Sequence, residues 1–196
     1  MNDAPALLVV DVQRGYFTGT PGLYRPDHFL DVVAGLVDRA RAEAVPVVYT
    51  RYMGEQGNMV EVGTPAFEIH DRLTPDAVDL VVDKRSTDSF HDSGLHDLLR
   101  GLGVGHLYVV GCLSELCVDT TCRRAVGLGY RTTLVADGHA TVDAPLEGVP
   151  PGRRAALMNR VLSRVGTAEQ MIVVRSAAEI DFLATNILTR NQPSPP

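Results

Sequence analysis

Short continuous apolar runs alternate along this chain with stretches in which apolar residues return every three or four positions. "ALLVVDV" (6–12) is apolar almost without interruption, the pattern of a strand covered on both faces. After a turn-rich stretch containing "TGTPG", Phe29, Val33, Leu36, Val37 and Ala40 fall at helical spacing and predict an amphipathic helix over 27–44. The alternation then repeats. Strands are predicted at 45–51, 78–84, 106–111, 130–137 and 171–175, and helices around "SGLHDLLRGL", at 117–128, at 153–165 and over the final "AAEIDFLATNIL". "GLGVGH" (101–106) lies between a helix and a strand, so it reads as a helix cap and turn. A nucleotide-binding glycine loop needs the reverse order.

Strands alternating with helices predict an α/β fold: a three-layer α/β/α arrangement around a six-stranded, mostly parallel, doubly wound sheet. No repeat or break in composition divides the chain. The expectation is one domain over 1–190, followed by a disordered tail, "NQPSPP" (191–196). The segment 52–77 is the irregular part, with weak periodicity and scattered glycine and proline. Long loops in compact domains usually serve function, and this one is a candidate pocket wall or oligomer contact.

Composition narrows the function classes. With 45% hydrophobic and 21% charged residues, the chain is ordinary for a globular protein. A formal net charge of −6 argues against nucleic acid or an anionic membrane as partner, since neither rewards an acidic surface. No apolar run reaches the ~18 residues needed to span a bilayer. The first residues, "MNDAPALLVVDVQ", lack the basic start and small-residue cleavage site of a secretory leader. Three cysteines, an odd number, predict free thiols and a cytoplasmic location.

In a doubly wound sheet, ligands bind beyond the carboxyl ends of the strands. The residues there are Asp11 and Gln13 after the first run, Asp83 and Lys84 at the end of the third, Cys112 after the fourth with Cys117 just beyond, and Asp137 and His139 after the fifth. A carboxylate, an ammonium and a thiol at neighbouring strand tips form a coherent set. A thiol must lose its proton to attack a carbonyl. A helix N-terminus and a nearby cation favour the thiolate, and a carboxylate can carry the proton to a leaving group. A Cys–His dyad using His91 or His139 is the rival arrangement. Taken singly, each group also has a structural reading: a turn-forming Asp, an exposed ion pair, a buried Cys acting as a small hydrophobe.

All three cysteines fall within 112–122. Neither interval has the C-x2-C spacing of a zinc site. A Cys117–Cys122 disulfide would join residues five apart on one helix, on different faces. Cys112 is expected to pack under the loop and Cys122 between helix and sheet.

Four segments together, "LLVVDVQRGYF" (7–17), "VVDKRSTDSF" (81–90), "VVGCLSELCVDTTCRRAVGLGY" (109–130) and "LVADGHATVD" (134–143), resemble the isochorismatase-like cysteine hydrolase superfamily, which includes nicotinamidases and N-carbamoylsarcosine amidase. The resemblance implies a triad of Asp11 as base, Lys84 as its partner that lowers the thiol pKa, and Cys117 as nucleophile. It also implies a cis peptide between Cys112 and Leu113, with the N–H groups of Leu113 and Cys117 as an oxyanion hole. Nicotinamidases carry an Asp and His metal cluster soon after the second strand. "TRYMGEQGN" has neither residue, so neither a metal nor a cofactor is expected.

The resulting expectation is a metal-independent hydrolase of a small amide, ureido or carbamoyl compound. Gln13, Phe17, Phe90, His91 and Leu116 would border the substrate. A homo-oligomer, dimer or tetramer, is implied by the resemblance. Two alternatives remain: isochorismatase-type ether hydrolysis, and a non-catalytic redox or ligand-binding protein with Cys117 as a sensor thiol.

Overall fold

A computed structural model describes residues 4–183. The six strands are β1 (Ala4–Val10), β2 (Val47–Tyr52), β3 (Leu80–Lys84), β4 (Val104–Cys112), β5 (Arg131–Ala140) and β6 (Val173–Arg175). They form one sheet in the order β3-β2-β1-β4-β5-β6, every neighbouring pair parallel. The α/β three-layer architecture is therefore as the alternation predicts. The strand order turns back between β1 and β4, which is where a doubly wound sheet opens its crevice.

The helices are α1 (Gly15–Thr18), α2 (Pro26–Ala42), α3 (Leu95–Gly101), α4 (Asp119–Gly127) and α5 (Pro151–Leu162). Alternate residues of β1 serve opposite faces, as the two-residue period of a strand requires. Leu7 and Val9 pack with Phe29, Val33, Leu36 and Val37 of α2, while Ala6, Leu8 and Val10 pack with Leu95 and Leu99 of α3 and with Cys122 and Val126 of α4. Burial on both faces explains why β1 and β4 read as unbroken apolar runs.

Four details differ from the sequence reading. The first strand stops at Val10, because Asp11 takes φ 50° and turns the chain out of the sheet. The fourth helix begins at Asp119, and the preceding residues Ser114–Val118 form a π-helical turn. The expected final helix is only a 3₁₀ turn over Ala177–Glu179, after which Ile180 returns to extended backbone. Ile180 and Phe182 add to the core over α2. The rest of that predicted helix, and the proline-rich tail, lie outside the described residues. Segment 52–77 is folded back on the sheet end: two 3₁₀ turns (Pro65–Phe67 and Asp71–Leu73) bury Phe67 and Leu73. Arg51 pins the segment, pairing with Asp83 at 2.8 Å and Glu68 at 2.9 Å and lying 4.3 Å over the Phe67 ring.

One glycine is required where the crevice opens. Gly111 has φ 129°, and a Cβ there would stand 2.0 Å from the carbonyl oxygen of Val10 on the neighbouring strand. Only glycine allows β4 to approach β1 this closely. The peptide that follows, between Cys112 and Leu113, is cis.

Candidate active site

Asp11, Lys84 and Cys117 come from three distant segments and meet at the carboxyl end of the sheet. Asp11 leaves β1 with its N–H bound to the Thr50 carbonyl at 3.1 Å, which holds the turn against β2. Its Oδ1 accepts the Thr50 hydroxyl at 2.7 Å, and its Oδ2 lies 2.7 Å from Lys84 Nζ. The Lys84 ammonium also donates to the Ser86 carbonyl at 2.9 Å and stands 5.4 Å over the Tyr52 ring. Both side chains of this ion pair are fully buried. Burial alone drives a lysine toward neutrality, but here Asp11 and Cys117 outweigh it, and the Lys84 pKa lies above its ordinary value.

Cys117 sits in the π-helical turn, 6% exposed and near enough to Asp11 and Lys84 for both to shift its pKa. Its thiol is pushed up to about 12. Burial is the main cause and the Asp11 carboxylate adds to it, while Lys84 pulls the other way. Lys84 acts in the foreseen direction, yet desolvation is the larger effect, and the turn places Cys117 ahead of the regular helix rather than at its first position.

The other two cysteines are free and buried. Cys112 donates its S–H to the Asp11 carbonyl at 3.1 Å, bracing the same turn from below, and Cys122 packs between α4 and the sheet.

The residues expected to border substrate divide. Leu116 is half exposed on the turn that carries Cys117, and Phe90 shares an apolar cluster with Cys117 and stacks on Tyr130 at 5.7 Å. Phe17 faces the other layer, its ring tilted against His70 at 4.3 Å and stacked on Phe29 at 6.3 Å. Gln13 is a brace: its amide donates to the carbonyls of Tyr52 (3.1 Å) and Phe67 (2.8 Å) and accepts the Tyr52 N–H (2.8 Å). With donors and acceptor engaged, it ties segment 52–77 to β1 instead of contacting substrate. His91 is a surface residue, 64% exposed in its side chain and 3.6 Å from Asp92. His139 is buried, with Nδ1 2.7 Å from Ser114 Oγ and Nε2 2.9 Å from Asn159 Oδ1. Both ring nitrogens are taken, so neither histidine is placed as the base of a Cys–His dyad.

Sequence reasoning missed several contributors. Thr50, at the end of β2, supplies the hydroxyl on Asp11. Tyr16 forms part of the wall; its phenol is pushed well above the ordinary range by burial first, then by Asp11, Cys112 and Cys117. Glu115 and Arg154 pair at 3.5 Å, and Glu115 also accepts the Thr141 hydroxyl at 2.5 Å, fastening the turn to α5 and β5. Only Thr50 had a positional signal, since it ends a strand beside Asp11 and Lys84. Among the described residues, no group of three or more His, Cys, Asp or Glu side chains is placed to hold a metal ion, and no helix is long and apolar enough to cross a membrane.

Comparison with known proteins gives a consistent result. A family model described as "Isochorismatase domain" matches residues 5–168. Two streptothricin hydrolases of Streptomyces noursei are 36% and 37% identical over 91% of the chain, which spans 65% and 71% of their lengths. A maleamate amidohydrolase of Pseudomonas putida is 29% identical over 68% of the chain and 70% of its own length. Among solved structures, an isochorismatase from Pseudomonas putida superposes with a TM-score of 0.82 at 30% identity, over 90% of each chain. The chain is thus homologous to proteins named as hydrolases, one of them an amidohydrolase.

Proposed function

Because the chain belongs to the isochorismatase family, we propose that it is a metal-independent cysteine amidohydrolase that cleaves the C–N bond of a small amide, ureido or carbamoyl compound through an acyl-enzyme on Cys117. The observation that carries this reading is the convergence of three groups: Asp11 and Lys84 form a fully buried ion pair at 2.7 Å beside the buried thiol of Cys117, whose pKa burial and Asp11 hold above its ordinary value. Such a thiol reacts only when its proton is taken in concert with attack, and Asp11 is the carboxylate in place to take it.

The steps then follow. As the Cys117 sulfur bonds to the carbonyl carbon, its proton passes to Asp11 and the carbonyl oxygen becomes an oxyanion. The N–H groups of Leu113 and Cys117 receive that charge. Collapse breaks the C–N bond, and Asp11 returns the proton to the leaving nitrogen. Asp11 next takes a proton from water as the water oxygen attacks the thioester. The acid leaves and the thiol regains its proton. Lys84 stays protonated throughout and keeps the carboxylate oriented.

The same observation speaks against a sensor thiol, since oxidation-sensing cysteines have low pKa values and open access. It also favours acyl transfer over ether hydrolysis, which has no use for a thiol. The relatives make streptothricin and maleamate the first compounds to test. Turnover of either, followed by mass spectrometry, should require Cys117, and Cys117→Ala should lower it by about 10⁴-fold or more. Full turnover by Cys117→Ala would overturn the mechanism.

A further inference from the structure

The register between β4 and β5 breaks near the crevice. Val109 lies opposite Leu134, yet Gly111 lies opposite His139, so β5 carries extra residues over 135–138. This bulge sets His139 beside the cis peptide that follows Gly111 and Cys112. It also turns the Ala136 carbonyl toward α5, where Asn159 Nδ2 donates to it at 3.0 Å.

That bond fixes the state of the imidazole. Only a donor can face a carbonyl, so the Asn159 amide nitrogen points to Ala136 and its oxygen points to His139. An oxygen 2.9 Å from Nε2 requires Nε2 to carry the hydrogen. Nδ1 is then bare and accepts the Ser114 hydroxyl at 2.7 Å. Burial, acting against the weaker pull of Asn159, Glu115 and Asp137, holds the His139 pKa below its ordinary value and keeps the ring neutral. Ser114 is the first residue of the π-helical turn and follows the cis peptide directly. Its neighbour Leu113 closes the turn, accepting the N–H groups of Leu116 (3.1 Å) and Val118 (3.2 Å) through its carbonyl. Ser114, His139 and Asn159 have the residue types of a hydrolytic triad, but Ser114 is fully buried whereas Cys117 keeps 6% exposure.

We propose that His139 is a positioning residue: as a neutral acceptor locked by Asn159, it orients Ser114 and so sets the spacing of the Leu113 and Cys117 N–H groups that receive the oxyanion. This rests on Cys117 being the nucleophile. It predicts that the network matters for attack on a carbonyl and not for the reactivity of the thiol itself.

Two reagents separate these. p-Nitrophenyl acetate acylates Cys117: the S–C bond forms, p-nitrophenolate leaves, the thiol proton goes to Asp11, and an oxyanion passes through the hole. Iodoacetamide alkylates the same sulfur with loss of iodide and no oxyanion. Ser114→Ala and His139→Leu should each slow acylation by about 10–100-fold while alkylation stays within about twofold. The double variant should be no slower than either single one, because both remove the same link. His139→Asn, whose amide oxygen occupies the place of Nδ1, should recover acylation to within about fivefold of the parent. The inference falls if Ser114→Ala acylates at the parental rate, or if acylation and alkylation decline together, as a loosened fold would cause. Failure of the parent protein to be acylated on Cys117 would instead bring down the nucleophile assignment, and this inference with it.

Discussion

Two buried polar clusters flank the turn that carries Cys117, and they are built on opposite principles. On the β1–β3 side, Asp11 and Lys84 form an ion pair with no solvent contact, and Thr50 and Ser86 take up their remaining hydrogen bonds. On the β5–α5 side, Ser114, His139 and Asn159 form a chain of neutral groups in which donor and acceptor alternate without a charge. The difference follows from the task of each. In the proposed mechanism charge is present where a proton moves between sulfur and leaving group, although burying it is costly and only mutual attraction offsets that. Where a backbone turn must simply be held, neutral hydrogen bonds suffice, at about 1 kcal/mol each.

The comparison is broken most severely at Lys84. Lys84→Met removes a charge of similar volume and leaves Asp11 buried alone, so urea denaturation should show a loss of about 3–5 kcal/mol. Acylation by p-nitrophenyl acetate should fall by about 10³-fold, because the thiol loses the one neighbour that lowers its pKa. Adding Asp11→Leu should return much of the stability and none of the activity, a split that the neutral cluster cannot produce.

Thr50→Val tests the same side more gently. It deletes the hydroxyl that Asp11 Oδ1 accepts while keeping the shape of the side chain. Acylation is expected to drop about tenfold, with a stability loss of about 1.5–3 kcal/mol, the range for a hydrogen bond to a charged group.

The smallest effect is on the neutral side and appears in pH dependence. His139 has a folded pKa below its ordinary value, so as pH falls below about 6.5 the unfolded chain takes up a proton first. Stability should therefore decline between about pH 6.5 and the folded pKa of His139. His139→Asn should flatten that decline in thermal melts, leaving the part due to His70, which burial lowers in the same way. Lys84 contributes with the opposite sign. Its raised pKa stabilises at every pH below about 10.4, and the contribution is lost only as pH rises through the folded value. An unchanged acid slope in His139→Asn would remove His139 from this account.

The sheet, its helices and the charged cluster were legible in the chain for one reason. A strand buried on both faces writes an unbroken apolar run, and the polar residue that ends it stands out. Asp11 and Lys84 stand out this way, and Cys117 lies just beyond the run that ends at Cys112. The neutral cluster was not legible, because Ser114, His139 and Asn159 belong to three segments joined only by a bulge in β5, and a bulge leaves no periodic trace. Gln13 misled for the complementary reason: its place at a strand tip is that of a ligand contact, but the backbone of segment 52–77 claimed its amide. The net direction of the thiol pKa was not legible, because desolvation depends on how tightly the turn is packed, which no spacing records.

The strand order has a consequence for how the molecule is made. β1 precedes the other five strands of the sheet in the chain, yet it lies between β2 and β4 near the centre. Its pairing with β4 joins Ala4 to Val104 and Val10 to Gly111, so during synthesis one of its edges stays open until that distant segment emerges. An apolar strand with an unpaired edge invites pairing with other chains. The arrangement that draws Asp11, Lys84 and Cys117 together from far-apart segments therefore also leaves β1 half-paired until β4 has been made.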